Sequence, residues 1–263
     1  MYNFDVVKPS HIADAVKELS GSSESQPLGG GQTLIPTLKQ RLASPDKLVS
    51  LGAIDEMKGV CQNDVGDVCI GGATTHATVA ATAGAYSALA VTASHIGDPA
   101  VRNRGTIGGS LANNDPSACY PAAALASGAT IVTNARKIGA DDFFQGMFTT
   151  ALEEGEIITE VCFPVPEKAN YQKFVQPASR FALVGVYVAK YASGVRVAIT
   201  GASNDGVFRW AEAEAALSAN FASEALEGLT LPDDDMISDL HGTGAYRAHL
   251  CGVMTKRAVD AAA

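Results

Sequence analysis

Residues 27–34 read PLGGGQTL, with Gly29, Gly30 and Gly31 in a row. Glycine loses more backbone freedom on folding than any other residue, so three together need a physical reason. A second stretch, RGTIGGSLANND at 104–115, repeats the device: adjacent glycines followed by a small hydroxyl residue. Successive unobstructed backbone N–H groups make an anion-binding concavity, and a Thr or Ser hydroxyl adds a donor. One such loop suits a phosphate; two converging loops suit a pyrophosphate. The competing reading of each loop is a tight turn, or a seam where backbone packs on backbone. Familiar nucleotide motifs do not fit. A G-x-G-x-x-G fingerprint starting at Gly29 needs glycine at position 34, where Leu34 stands, and no G-K-[ST] ending occurs.

The flanks of the first loop read as a small α/β unit. FDVVKPS is a strand that ends at Pro9, and Ser10 is placed to cap a helix with Ile12, Val16 and Leu19 on one face. TLKQRLASP is a short helix broken at Pro45, and KLVSLGAI is a strand. A second unit begins near Cys61, where DVCIGGATTHATV predicts a strand, a Gly-Gly turn and a helix capped by Thr74 or Thr75. GAYSALAVTASHI is helical, and GDPAVRNRGTIGGSLANNDPSACYP reads as a long polar loop of the kind that carries function. YPAAALASGATIVT returns to helix and strand, and EIITEVCFPVP is a strand closed by Pro164 and Pro166. Beyond it, RFALVGVYVAKYASGVRVAITGASNDGVFRW predicts hairpin strands turning at ASG and SNDG. Two helices follow, WAEAEAALSANF and GAYRAHLCGVMTKRAVDAA, with Tyr246, Leu250, Val253 and Met254 as the inner face of the second. The pattern divides the chain into residues 1–168 (units 1–56 and 57–168) and 169–263.

Composition narrows the function. The 263 residues are 47% hydrophobic and 18% charged with a net charge of -9, as in a folded protein without a basic footprint for nucleic acid or a membrane surface. No secretory leader or membrane-length apolar run is read, so a cytoplasmic location is expected. Cys61, Cys69, Cys119, Cys162 and Cys251 are odd in number and lack a C-x-x-C pair. That spacing speaks against a disulfide framework, zinc or an iron–sulfur cluster held by this chain. His76 and His95 have no partner ligand at i+4 and read as capping or surface residues. No G-x-S-x-G elbow occurs. Arg102 and Arg104 are equally suited to offset phosphate charge, to face solvent or to meet another subunit. PDDDM at 232–236 is expected to be a solvated turn.

PLGGGQTLIPTLKQRLASPDKLVSL, GGATTHATV, IGDPAVRNRGTIGGSLANNDPSACYPAAALASGATI, EIITEVCFP and YQKFVQPASRFALVGVYVA occur in that order. Together they resemble the FAD-binding medium subunit of the molybdenum hydroxylases, the family of xanthine dehydrogenase and aerobic carbon monoxide dehydrogenase, over essentially the whole chain. The resemblance implies an α+β fold: an FAD domain of the p-cresol methylhydroxylase/vanillyl-alcohol oxidase type, built of two α/β subdomains, and then a smaller α/β domain. It implies that Gly29, Gly30, Gly31, Gln32, Thr33 and Leu34 hold the FAD pyrophosphate, with Thr106, Ile107, Gly108, Gly109 and Ser110 as a second loop over it. Asp115 would accept hydrogen bonds from the flavin side, Ile158 would lie near the isoalloxazine and Lys173 by its polar edge. Many family members carry an acidic residue where Cys119 stands; here it reads as a buried structural thiol. The implied function is electron transfer with no catalytic side chain and no metal in this chain. Electrons come from the [2Fe–2S] clusters of a small partner subunit, and a large partner carries the molybdenum cofactor, the whole forming a dimer of heterotrimers. The rivals are a stand-alone FAD-dependent oxidase or reductase and a non-redox anion-binding module.

Overall fold

The computed structural model describes residues 1–262. β1 (Asp5–Val7), α1 (Ile12–Leu19), β2 (Ser25–Leu28), α2 (Leu34–Lys39) and β3 (Lys47–Ser50) build a three-stranded parallel sheet in the order β1-β3-β2. Parallel strands need crossovers, which α1 and α2 supply. Ala15 and Leu19 of α1 pack against Val49, Ile54 and Met57. The helix starts one residue later than expected: His11, not Ser10, is its N-cap, and no side chain of the cap bonds back. Instead Glu56 Oε1 accepts from the Ile12 N–H at 2.6 Å, so a carboxylate from a distant turn satisfies that free donor.

The second unit runs through β4 (Val60–Gln62), β5 (Val68–Gly71), α3 (His76–Thr82), α4 (Ser87–Ser94), α5 (Pro99–Arg102), α6 (Ile107–Asn113) and α7 (Cys119–Ser127). It continues through β6 (Thr130–Thr133), β7 (Lys137–Gly139), α8 (Ala140–Phe143), the hairpin β8 (Phe144–Gly146) and β9 (Thr149–Thr150), and β10 (Ile158–Phe163). Its five-stranded sheet has the order β4-β5-β10-β6-β7 and is antiparallel throughout. Val68, Ile70, Val161 and Phe163 project from one face into the main core.

Two expectations change here. The long polar loop is mostly helix: its polar residues are caps, with Asp98 accepting from Val101 N and Thr106 from Gly109 N. Short helices with glycine inside them have no apolar periodicity to betray them. The cysteines do include a disulfide, Cys69–Cys162, formed across β5 and β10 by residues 93 positions apart. Strand register brings them together, and spacing along the chain does not reveal it.

β11 (Lys168–Val175), β12 (Ala182–Tyr191), β13 (Gly194–Ser203) and β14 (Gly206–Arg209) form an antiparallel meander, followed by α9 (Ala211–Ala219) and α10 (Gly244–Asp260). Val184, Val186 and Val188 of β12 face α9 and α10, while Tyr187 and Ala189 face the main core on the other side, where α7 lies. All nine residues of α7 are buried, which its small side chains permit.

The inner face of α10 is rotated from the expected one. Leu250 and Met254 are buried, but Tyr246 is 41% exposed and Val253 only half-buried, whereas Arg247 is 2% exposed. Arg247 is held inside by Asp239, which accepts two bonds of 2.9 Å, and by the Leu183 and Gly201 carbonyls. Of PDDDM, the three aspartates are exposed and Met236 turns into the core. Replacing Arg247 by Ala unpairs those carbonyls and leaves a void, so we expect a loss of about 3 kcal/mol in urea denaturation.

Candidate functional site

One cleft of about 1040 Å³ is bounded by the loop after β2, the turn after β5, α6, the head of β10 and the β11–β12 loop. Its volume lies at the top of the usual ligand-pocket range of roughly 300–1,000 Å³. Gly29, Gly30, Gly31, Gln32, Thr33, Leu34, Thr106, Gly108, Gly109, Ser110, Asp115, Ile158 and Lys173 all line it.

The first glycine loop presents bare backbone. Gly31 has φ +72°, a conformation open to glycine and strained for most other residues. Among the described residues, the N–H groups of Gly30 to Leu34 donate to no other part of the chain. Gln32 turns back, its side-chain amide donating to the Gly30 carbonyl at 3.3 Å. Gly30 itself faces the second loop: a Cβ there would run into the Arg104 carbonyl and lie 2.6 Å from Gly105 Cα. A Cβ on Gly29 would lie 2.9 Å from Thr106 Oγ1. The two loops therefore converge by backbone contact.

The second loop differs from the expected row of free donors. Ile107 N donates to Thr74 O, Gly108 N to Gly72 O, Gly109 N to Thr106 Oγ1 and Ser110 N to Thr106 O. All four amides are engaged because the segment is the first turn of α6, docked on the β5 turn. Gly108 is there for contact, since a Cβ would come within 2.6 Å of the Gly72 carbonyl. Gly109 is different: outside its own helix backbone, the one atom near its Cβ position among the described residues is Thr106 Oγ1 at 3.0 Å, and it borders the cleft. Ile107 departs from the wall altogether, its side chain fully buried in the core and its amide engaged.

The remaining expected residues sit at the rim and far wall. Asp115 Oδ1 accepts from Ser117 N at 2.8 Å, fixing a turn. Asn114 before it is left-handed and donates to the Gly146 and Thr149 carbonyls. Lys173 Nζ donates to the His95 carbonyl at 2.8 Å, which sets β11 against the end of α4. Arg102 braces the same region by donating to the Ile96 and Gly97 carbonyls, while the Arg104 side chain is exposed.

His76 lies where sequence did not place it. It is neither a cap nor a surface residue but a 4% exposed side chain on the cleft wall, its ring centroid 5.3 Å from that of Tyr120 and tilted 56° to it. Among the described residues its Nδ1 has no partner. Burial, and then the nearby Arg102 charge, lower its pKa to about 4. Cys119 is buried at the head of α7 and also borders the cleft. Ser179 and Arg180 reach it from the β11–β12 loop with φ +61° and +58°, a conformation no residue type there announces. No cluster of metal-ligating side chains lines this cleft among the described residues.

Known proteins share the whole of this architecture. The family described as FAD binding domain in molybdopterin dehydrogenase matches residues 2–166. The carbon monoxide dehydrogenase medium chain of Afipia carboxidovorans is 34% identical over 285 residues, covering 99% of this chain and 96% of that one. The nicotine 6-hydroxylase medium subunit of Paenarthrobacter nicotinovorans is 34% identical, covering 95% and 94%. A chain of reconstituted CO dehydrogenase from Oligotropha carboxidovorans superposes with a TM-score of 0.88 at 32% identity, covering 98% and 96%.

The lowered pKa of His76 has a pH consequence. In the unfolded chain the imidazole takes its proton near pH 6.5, in the fold only near 4. Stability is therefore constant above about pH 6.5 and falls as the pH drops from there towards 4, by about 3 kcal/mol in all. In His76→Asn this contribution vanishes, and the denaturation midpoint should flatten across that window relative to the parent.

Proposed function

We infer function from membership: the chain belongs to the family of FAD-binding domains of molybdopterin dehydrogenases. It is the flavoprotein subunit of a multi-subunit molybdenum hydroxylase, an oxidoreductase. It takes electrons from the [2Fe–2S] clusters of a small partner subunit and passes them to an external acceptor, while a large partner carries the molybdenum cofactor. The observation that carries the site is the row of unengaged amides from Gly30 to Leu34, facing a cleft of dinucleotide size.

The chain's own groups fit that cofactor. The Gly30–Leu34 amides would hold the pyrophosphate as a concavity of fixed donors. Gly29 and Gly109 would leave room for it by lacking side chains, and Thr106, Gly108 and Ser110 would close the wall beside it. In this reading Ile107 contributes through the core behind that wall. Asp115 keeps one carboxylate oxygen free to accept from the flavin side. Ile158 would exclude water beside the ring system, and Lys173 would place a positive charge at its edge. When bound, FAD supplies the electron-carrying chemistry, and the protein supplies position and electrostatics. No catalytic side chain is assigned. The three larger sheets support a division near 1–56, 57–168 and 169–263, with β11 already beginning at Lys168 and the first two parts as the FAD domain of the p-cresol methylhydroxylase type. A cytoplasmic dimer of heterotrimers belongs to the same reading and is carried by the resemblance alone. No helix among the described residues is long and apolar enough to cross a membrane.

Native purification with a visible spectrum and metal analysis tests the whole reading. Flavin bands with molybdenum and iron in one complex are expected; a protein that stays colourless after FAD addition, or a flavoprotein without partners, overturns it. Gly109→Val should weaken FAD affinity by about 100-fold, roughly 2.7 kcal/mol, while costing the flavin-free protein only about 1 kcal/mol through displacement of the Thr106 cap. Gly30→Ala should lower both FAD affinity and the denaturation midpoint, because its Cβ strikes the Arg104 carbonyl.

A further inference from the structure

Three of the five cysteines lie on one cross-strand row of the five-stranded sheet. Cys61 of β4 is opposite Cys69 of β5, and Cys69 is opposite Cys162 of β10. Residues paired in this way project from the same face, here the face away from Val68, Ile70, Val161 and Phe163. Cys69 and Cys162 are joined, and Cys61 is a free, exposed thiol. Glu160, on the same face, has Oε2 3.4 Å from Cys162 Sγ.

Such a row can chelate a metal or exchange bonds, and strand spacing decides between them. A tetrahedral zinc with bonds of about 2.3 Å needs its sulfurs within roughly 4 Å of one another. Cys61 and Cys162 stand two strand spacings apart, about 9.5 Å between backbones. A straight row instead suits displacement at sulfur, where attacking, central and departing atoms are in line.

We propose that Cys61, Cys69 and Cys162 form a thiol–disulfide exchange site. The Cys61 thiolate attacks Cys69 Sγ, the Cys61–Cys69 bond forms and the Cys69–Cys162 bond breaks. Cys162 leaves as a thiolate and recovers from water the proton that Cys61 released, and Glu160 Oε2 accepts the resulting S–H. Nothing is oxidised or reduced overall. A small external dithiol can then reduce the Cys61–Cys69 bond by attack at the exposed Cys61 sulfur, giving two electrons and becoming a disulfide itself. The row lies on strands that run to the cofactor cleft: β5 leads into Gly72 and Ala73, and β10 begins at Ile158, all on the cleft wall.

Iodoacetamide quenching of the oxidised native complex, followed by peptide mass mapping, tests this. Label is expected on both Cys61 and Cys162, with matching Cys69–Cys162 and Cys61–Cys69 peptides. In Cys61→Ser the label on Cys162 disappears, and dithiothreitol reduces the remaining disulfide at least about tenfold more slowly. In Cys162→Ser, a glutathione disulfide buffer yields the Cys61–Cys69 peptide. Label confined to Cys61 in the parent complex, or all three thiols free, overturns the proposal. So does Cys162→Ser with Cys61 and Cys69 both alkylated. If that variant does not fold, the label distribution in the parent complex decides alone.

Discussion

The site depends on backbone touching backbone. Gly30 lies on the Arg104–Gly105 peptide, Gly72 on the Ile158 carbonyl and Gly108 on Gly72, each at a distance that a methyl group would forbid. These contacts join the parallel unit, the five-stranded sheet and α6 into one wall. Only after they close do the unengaged amides of Gly30–Leu34 point into a shared cleft. The glycines divide into two kinds that sequence cannot separate: some exclude side chains so that the protein can approach itself, and others so that a ligand can.

The C-terminal sheet is equally part of the site. Pro116 O accepts from Gly201 N at 2.6 Å and from Thr200 Oγ1 at 2.8 Å, so the turn that carries Asp115 is gripped by β13. Arg196 of β13 donates to the Leu125 carbonyl of α7 and to both oxygens of Asp141, and Arg209 reaches the same carboxylate. Partly buried, charge-assisted bonds of this geometry fix orientation more than they add stability. The electrostatic network therefore sets where the third sheet stands over the cleft.

Sequence made β1, β3, β5, β6, β10, β12, β13 and the first loop legible because their signals are local: alternation, turn residues and three bare glycines. β2, over Ser25–Leu28, has no such alternation and was not legible. β12, β13 and β14 turn near Ala192–Ser193 and Asn204–Asp205 as the turn residues indicate. What stayed hidden was set by tertiary register. The engaged amides of Ile107 and Gly108 depend on carbonyls of Thr74 and Gly72, more than thirty residues away. His76 is buried because Gly105 gives its ring space, and the Cys69–Cys162 pair exists because β5 and β10 meet. Arg247 shows the same limit, since a helical wheel cannot foresee a carboxylate from a preceding loop turning a charged residue inward.

The fully enclosed α7 has a consequence for synthesis. The helix leaves the ribosome about sixty residues before β12 and still earlier than β13, the strands that cover its outer side. At about 5–20 residues per second that is an interval of roughly 3–12 s. Throughout it, an uncharged helix without a polar face has one side open to whatever it meets. The last third of the chain is thus the cover that closes over α7, and until it is made the helix keeps apolar surface open to solvent.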